Sequence, residues 1–89
     1  MQVSNHEMVS LEREPWNAYD RNAVCVNNVR GEKVGHIKRE MAKALAPIMD
    51  KNLARVEGFV AYHHVSFVIA FIVRKLTLFI EFQAIPIKN

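Results

Sequence analysis

Two aromatic rings, a carboxylate and two carboxamides crowd into ten residues, Pro15-Trp16-Asn17-Ala18-Tyr19-Asp20-Arg21-Asn22-Ala23-Val24. Trp16 and Tyr19 are the only aromatic residues before Phe59, and they sit in a polar stretch instead of a periodic apolar one. Pro15 fixes its own φ and biases Glu14 toward an extended backbone. Asn17, Asp20 and Asn22 are turn formers whose side chains bond nearby backbone. Rings carried on such a turn are predicted to present flat faces beside a carboxylate and amides, which suits a nucleobase and its sugar. The alternative is that both rings fold back over the mouth of a small barrel as minor core. For Asp20 the alternative is an Asx-turn to the Asn22 backbone, compatible with ligand contact, and for Asn17 it is a plain turn role.

A second group lies where a strand runs into a helix: His36, Lys38 and Arg39. A helix N-terminus presents unpaired N–H groups and positive potential, a natural phosphate seat. The plainer readings are a solvated helix start for Lys38 and Arg39, and a half-buried strand residue with one satisfied nitrogen for His36. Other chemistry fades. His63-His64, Cys25 and His36 lack metal-ligand spacing. Glu12 and Glu14 share a strand face but have no histidine or metal motif to make a hydrolase. Glycines 31, 35 and 58 are isolated, so no phosphate-cradling loop exists, and Cys25 reads as core.

The elements that must position these residues follow from periodicity. Met8–Arg13 alternates, with Val9 and Leu11 on one face and Ser10 and Glu12 on the other. The polar turn leads to a second strand over 23–27, Asn28–Gly31 makes a hairpin turn, and 32–37 returns as a third strand. The three form an antiparallel meander. Lys38 to about Ala46 is predicted helical, with Pro47 stopping or kinking it near Ala46. Asp50-Lys51-Asn52 makes a turn, and a further strand begins at Leu53.

Eighty-nine residues allow one small domain, with about two thirds of its surface buried. A single cysteine excludes a disulfide framework and suits a reducing compartment. The N-terminal run is too polar for a signal peptide. The net charge of +3 is unevenly spread. In residues 1–20, Glu7, Glu12, Glu14 and Asp20 face only Arg13; in 21–43, six cations face Glu32 and Glu40. That local excess can hold a few phosphates, too few to coat a duplex. Phe59 to Val73 is apolar but interrupted by His63-His64, short of the roughly 20 residues of a bilayer span, so no membrane partner is expected.

The 15–24 run, with Val26-Asn27-Asn28-Val29, Val34-Gly35-His36 through Leu45-Ala46 and the closing Glu57-Gly58, resembles the HIRAN domain. The matching pieces recur in order from about Asn5 to Gly58. The resemblance implies a mainly β fold with one or two helices, a small OB-like β-barrel of HIRAN type, incomplete at both ends. Residues 1–58 are then a partial domain that lacks the family's upstream strand and its arginine–aromatic loop. Residues 59–89 are a divergent apolar tail that either completes the barrel or is a splice or gene-model artefact, the artefact being favoured.

HIRAN domains imply capture of the 3′-hydroxyl end of single-stranded DNA. A tyrosine matching Tyr19 packs on the terminal nucleotide, Asp20 accepts the hydroxyl and would repel a phosphate, and Asn17 touches the same nucleotide. His36 matches a backbone-contacting histidine, and Arg39 stands where the family has a phosphate-binding lysine. Trp16 departs from the family's asparagine, so its contact with DNA rests on its ring chemistry alone. The resemblance further implies a nuclear module of a larger Swi/Snf-type ATPase directed to stalled forks and DNA damage. It implies no active site and no cofactor in this chain: ATP with Mg, acid-anhydride hydrolysis, zinc and RING ubiquitin ligation belong to other domains. A truncated, non-binding fragment acting only through protein–protein association is the alternative.

Overall fold

Alternation sets the first strand, β1, Met8–Arg13, with Val9 buried and Leu11 half-buried on the inner face. The computed structural model describes residues 7–62, 66–73 and 76–86. β2 (Val24–Asn27) and β3 (Lys33–Ile37) follow and pair antiparallel in order, the expected meander. The hairpin between them closes on Asn28, whose Oδ1 accepts from the Arg30 and Glu32 amides, and on Gly31 at φ +81°. A glycine takes that left-handed geometry without a Cβ penalty.

The helix α1 runs Arg39–Asp50, about one turn past the stop expected near Ala46. Pro47 forfeits a bond to the Lys43 carbonyl, yet the last turn is held from both sides. Leu45 and Ala46 are buried, Met49 packs against the core, and Asp50 takes two bonds from Arg13, at 2.9 and 3.1 Å. The carbonyls of Pro47, Ile48 and Met49 accept from Lys51, Leu53 and Asn52. Burial and a bidentate ion pair thus outweigh one missing backbone bond. α1 is the only helix among the described residues, against one or two expected.

β4 (Arg55–Tyr62), β5 (Ser66–Val73) and β6 (Leu76–Pro86) complete a closed barrel in the order β1-β2-β3-β6-β5-β4. The segment beyond Phe59 thus supplies β5, β6 and the end of β4, where the sequence had suggested a barrel left incomplete. β6 reaches β3 through Gly35↔Pro86, His36↔Ile85 and Ile37↔Ala84. His63, His64, Arg74 and Lys75 lie outside the described residues.

The core gathers Val9, Val24, Val26, Val34 and Ile37 from the first three strands with Ala42 and Leu45 from α1. β2 is buried on both faces. Its outward Cys25 and Asn27 lie under a polar cover: Asn27 Nδ2 donates to Glu12 at 3.0 Å, and the Cys25 thiol lies 3.6 Å from Asn27 Oδ1. Burial pushes the Cys25 thiol above its ordinary value, as expected of a structural cysteine. No helix is long and apolar enough to cross a membrane, and no group of three metal-ligating side chains occurs among the described residues.

Candidate nucleic-acid interface

The turn after β1 is built by its own polar side chains. Asn17 Oδ1 accepts from the Tyr19 and Asp20 amides at 2.9 and 3.1 Å, and Asp20 Oδ1 accepts from the Asn22 amide at 2.9 Å. The Asx-turn envisaged for Asp20 therefore forms. Arg13 fastens the far side of the turn, donating to the carbonyls of Ala23 and Arg21 at 2.6 and 2.9 Å. Neither ring folds inward: Trp16 is 71% exposed and Tyr19 91%.

Asn17, Tyr19, Asp20, His36 and Arg39 line one open cavity of about 250 Å³, floored by Ala23 and Ile37. Five of the seven residues singled out in the sequence thus meet, from segments about 20 residues apart. Arg39 bridges the segments, donating to the Tyr19 carbonyl at 3.3 Å and lying 3.9 Å from Asp20 Oδ2. Asp20 keeps its second oxygen toward this side, so the cavity holds an acid and a guanidinium together.

Trp16 and Lys38 lie outside the cavity lining. Lys38 is the N-cap of α1, exposed and without a side-chain cap bond, and Glu40 places an acid in the first turn. The solvated helix start is the arrangement seen for Lys38. Trp16 instead meets Lys33, whose Nζ lies 5.6 Å from the ring centroid, within cation–π range.

Sequence reasoning missed the residue on which these groups converge. Glu14 is 1% exposed, and its carboxylate takes three donors. Oε1 accepts from Asn17 Nδ2 at 3.1 Å and lies 2.8 Å from His36 Nε2, and Oε2 pairs with the Lys33 ammonium. Burial alone would raise the Glu14 pKa, but hydrogen bonds from Lys33, His36 and Asn17 outweigh it and lower it to about 2. The bond to Glu14 in turn raises the Lys33 pKa.

Strict alternation would send Lys33 and His36 to opposite faces of β3. A register shift allows both to reach Glu14: Val26 pairs Gly35 while Asn27 pairs Lys33, leaving one extra residue on β3. The available signal was Pro15, which confines Glu14 to extended backbone at the strand end.

Comparison with known proteins places this geometry in a family. The HIRAN domain model matches residues 1–83, past Gly58 where the motifs read from the sequence stop. The helicase-like transcription factor of Mus musculus is 63% identical over 60 residues, covering 67% of this chain and 6% of that protein. The Homo sapiens protein of the same name is 58% identical over 60 residues, with the same shares. The crystal structure of the HIRAN domain of human helicase-like transcription factor superposes with a TM-score of 0.67 at 57% identity, covering 68% of this chain and 50% of that one. An NMR structure of a HIRAN domain in its DNA-bound conformation gives a TM-score of 0.60 at 44% identity, over 92% of this chain and 61% of that one. The chain therefore spans about half the length of the solved HIRAN chain in the crystal and 6% of the curated relatives. It belongs to the HIRAN domain family.

Proposed function

We propose, from that membership, that the chain is a nucleic-acid-binding module that takes the 3′-hydroxyl end of single-stranded DNA into the Tyr19–Asp20 cavity. The observation that carries this reading is the convergence of Asn17, Tyr19, Asp20, His36 and Arg39 on one open cavity. A relative solved in a DNA-bound conformation supports it from outside the chain. Tyr19, exposed on a braced turn, stacks on the terminal nucleoside. Asp20 accepts the hydroxyl, and its charge disfavours a phosphate at that place. Asn17 shapes the turn, His36 and Arg39 face the backbone phosphates, and Lys38 adds charge at the helix start.

Trp16 offers a further stacking face outside the cavity. The module requires no cofactor of its own and performs no catalysis; its role is to bring an associated Swi/Snf-type ATPase to stalled forks and DNA damage in the nucleus.

Fluorescence anisotropy with two oligonucleotides tests this, one ending in a free 3′-hydroxyl and one in a 3′-phosphate. Tighter binding of the first is expected; equal affinity removes end recognition. The rival reading is a fragment acting only by protein association, through exposed strand edges and its apolar tail. Each of the six strands among the described residues has two hydrogen-bonded neighbours, which weighs against edge pairing.

A further inference from the structure

We infer that Glu14 is a positioning residue of the end-binding cavity: it fixes which nitrogen of His36 carries the proton and which way the Asn17 carboxamide points. The affinity part of this inference rests on the function proposed above; the histidine part does not.

Glu14 touches no cavity space itself, since it is absent from the lining and almost wholly buried. It acts through its neighbours. An ionised carboxylate only accepts hydrogen bonds, so each atom turned toward it must donate. His36 Nε2, 2.8 Å from Glu14 Oε1, must therefore bear a hydrogen. Neutral His36 is then the Nε2–H tautomer with Nδ1 as its acceptor, and the ring presents a defined polarity to whatever occupies the cavity.

The same oxygen receives Asn17 Nδ2 at 3.1 Å. That contact commits Asn17 Oδ1 to the Tyr19 and Asp20 amides, the bonds that shape the turn. A reversed carboxamide would set its oxygen against the carboxylate and its NH₂ against two N–H donors. The second carboxylate oxygen holds the Lys33 ammonium beside Trp16, so the outer ring answers to Glu14 as well. One buried anion thus sets the proton on one cavity wall and the hydrogen-bond direction of the turn that forms the other.

A purely structural Glu14 would stabilise the barrel without governing His36, and the two cases separate spectroscopically. In a long-range ¹H–¹⁵N spectrum of the full chain, recorded with the ring neutral and His36 assigned by comparison with His36→Asn, we expect a protonated Nε2 and a bare Nδ1. A bare Nε2 in the folded wild type overturns the inference without any variant at Glu14. Glu14→Gln keeps the shape but adds a donor where only acceptors fit. It is expected to mix the two His36 tautomers and to weaken binding to a free 3′-hydroxyl oligonucleotide on the order of tenfold. A folded Glu14→Gln chain with wild-type affinity and an unchanged His36 spectrum overturns it too. If Glu14→Gln does not fold, the wild-type spectrum decides alone. A wild-type chain that binds neither oligonucleotide overturns the proposed function, and the spectrum still rules on Glu14.

Discussion

At the scale of single residues, the chain separates the side chains that meet solvent from the one that holds them. Tyr19 is 91% exposed, so Tyr19→Ala should leave the urea midpoint nearly unchanged and cost about 1–3 kcal/mol of binding to single-stranded DNA by anisotropy. Asp20→Asn keeps an oxygen for the Asn22 amide and removes only the charge. It should therefore preserve folding while narrowing the preference for a 3′-hydroxyl over a 3′-phosphate. Glu14 behaves oppositely. Its pKa is about 2 folded against an ordinary 4.5, so the unfolded chain takes up its proton first as pH falls. The stabilisation is fully present above about pH 4.5 and is lost progressively as pH falls through about 2. It amounts to about 3 kcal/mol by linkage, and Glu14→Gln should flatten acid unfolding followed by circular dichroism across that window.

At the scale of elements, close approach between strands explains positions that single residues do not. Gly58 on β4 pairs Val9 on β1, and a Cβ there would lie 3.0 Å from Val9 Cγ2 and 3.5 Å from Leu11. Val9 is a branched side chain already in the core and has little room to yield. Gly58→Ala should thus lower stability by about 1 kcal/mol in urea denaturation, the overpacking outweighing any gain in strand propensity. The boundaries of β1 were legible because Met8–Arg13 alternates cleanly and ends where Pro15 forbids continuation. Ala46 as the end of α1 was not, because propensity registers Pro47 and is blind to Met49 on the core and Asp50 on Arg13. The cavity residues were legible as types on a turn and a strand end. Glu14 as their common partner was hidden, since period-two reasoning keeps Lys33 and His36 apart and only the bulge on β3 joins them.

At the scale of the molecule, charge placement limits how much of a DNA strand this barrel can hold. The net charge is +3, and several of the cations are held in ion pairs. Arg13 is tied to Asp50, Lys33 to Glu14, Arg30 to Glu32, and Arg55 lies near Glu57. Around the cavity, Arg39 stands 3.9 Å from Asp20 and is largely exposed, and Lys38 adjoins it at the helix start. A strand end entering the cavity therefore meets two cations able to turn to phosphate, Arg39 and Lys38. Each phosphate neutralised on a single strand contributes about −0.7 to the slope of log affinity against log salt. Two contacts give a slope of roughly −1.4. Anisotropy titrations across a range of potassium chloride concentrations measure it directly. Arg39→Ala should make the slope shallower by about 0.7 while leaving the hydroxyl-over-phosphate preference in place, because that preference belongs to Asp20. A slope several times steeper would mean that the strand runs on across the barrel surface, and that the cavity accounts for only a minor part of the binding.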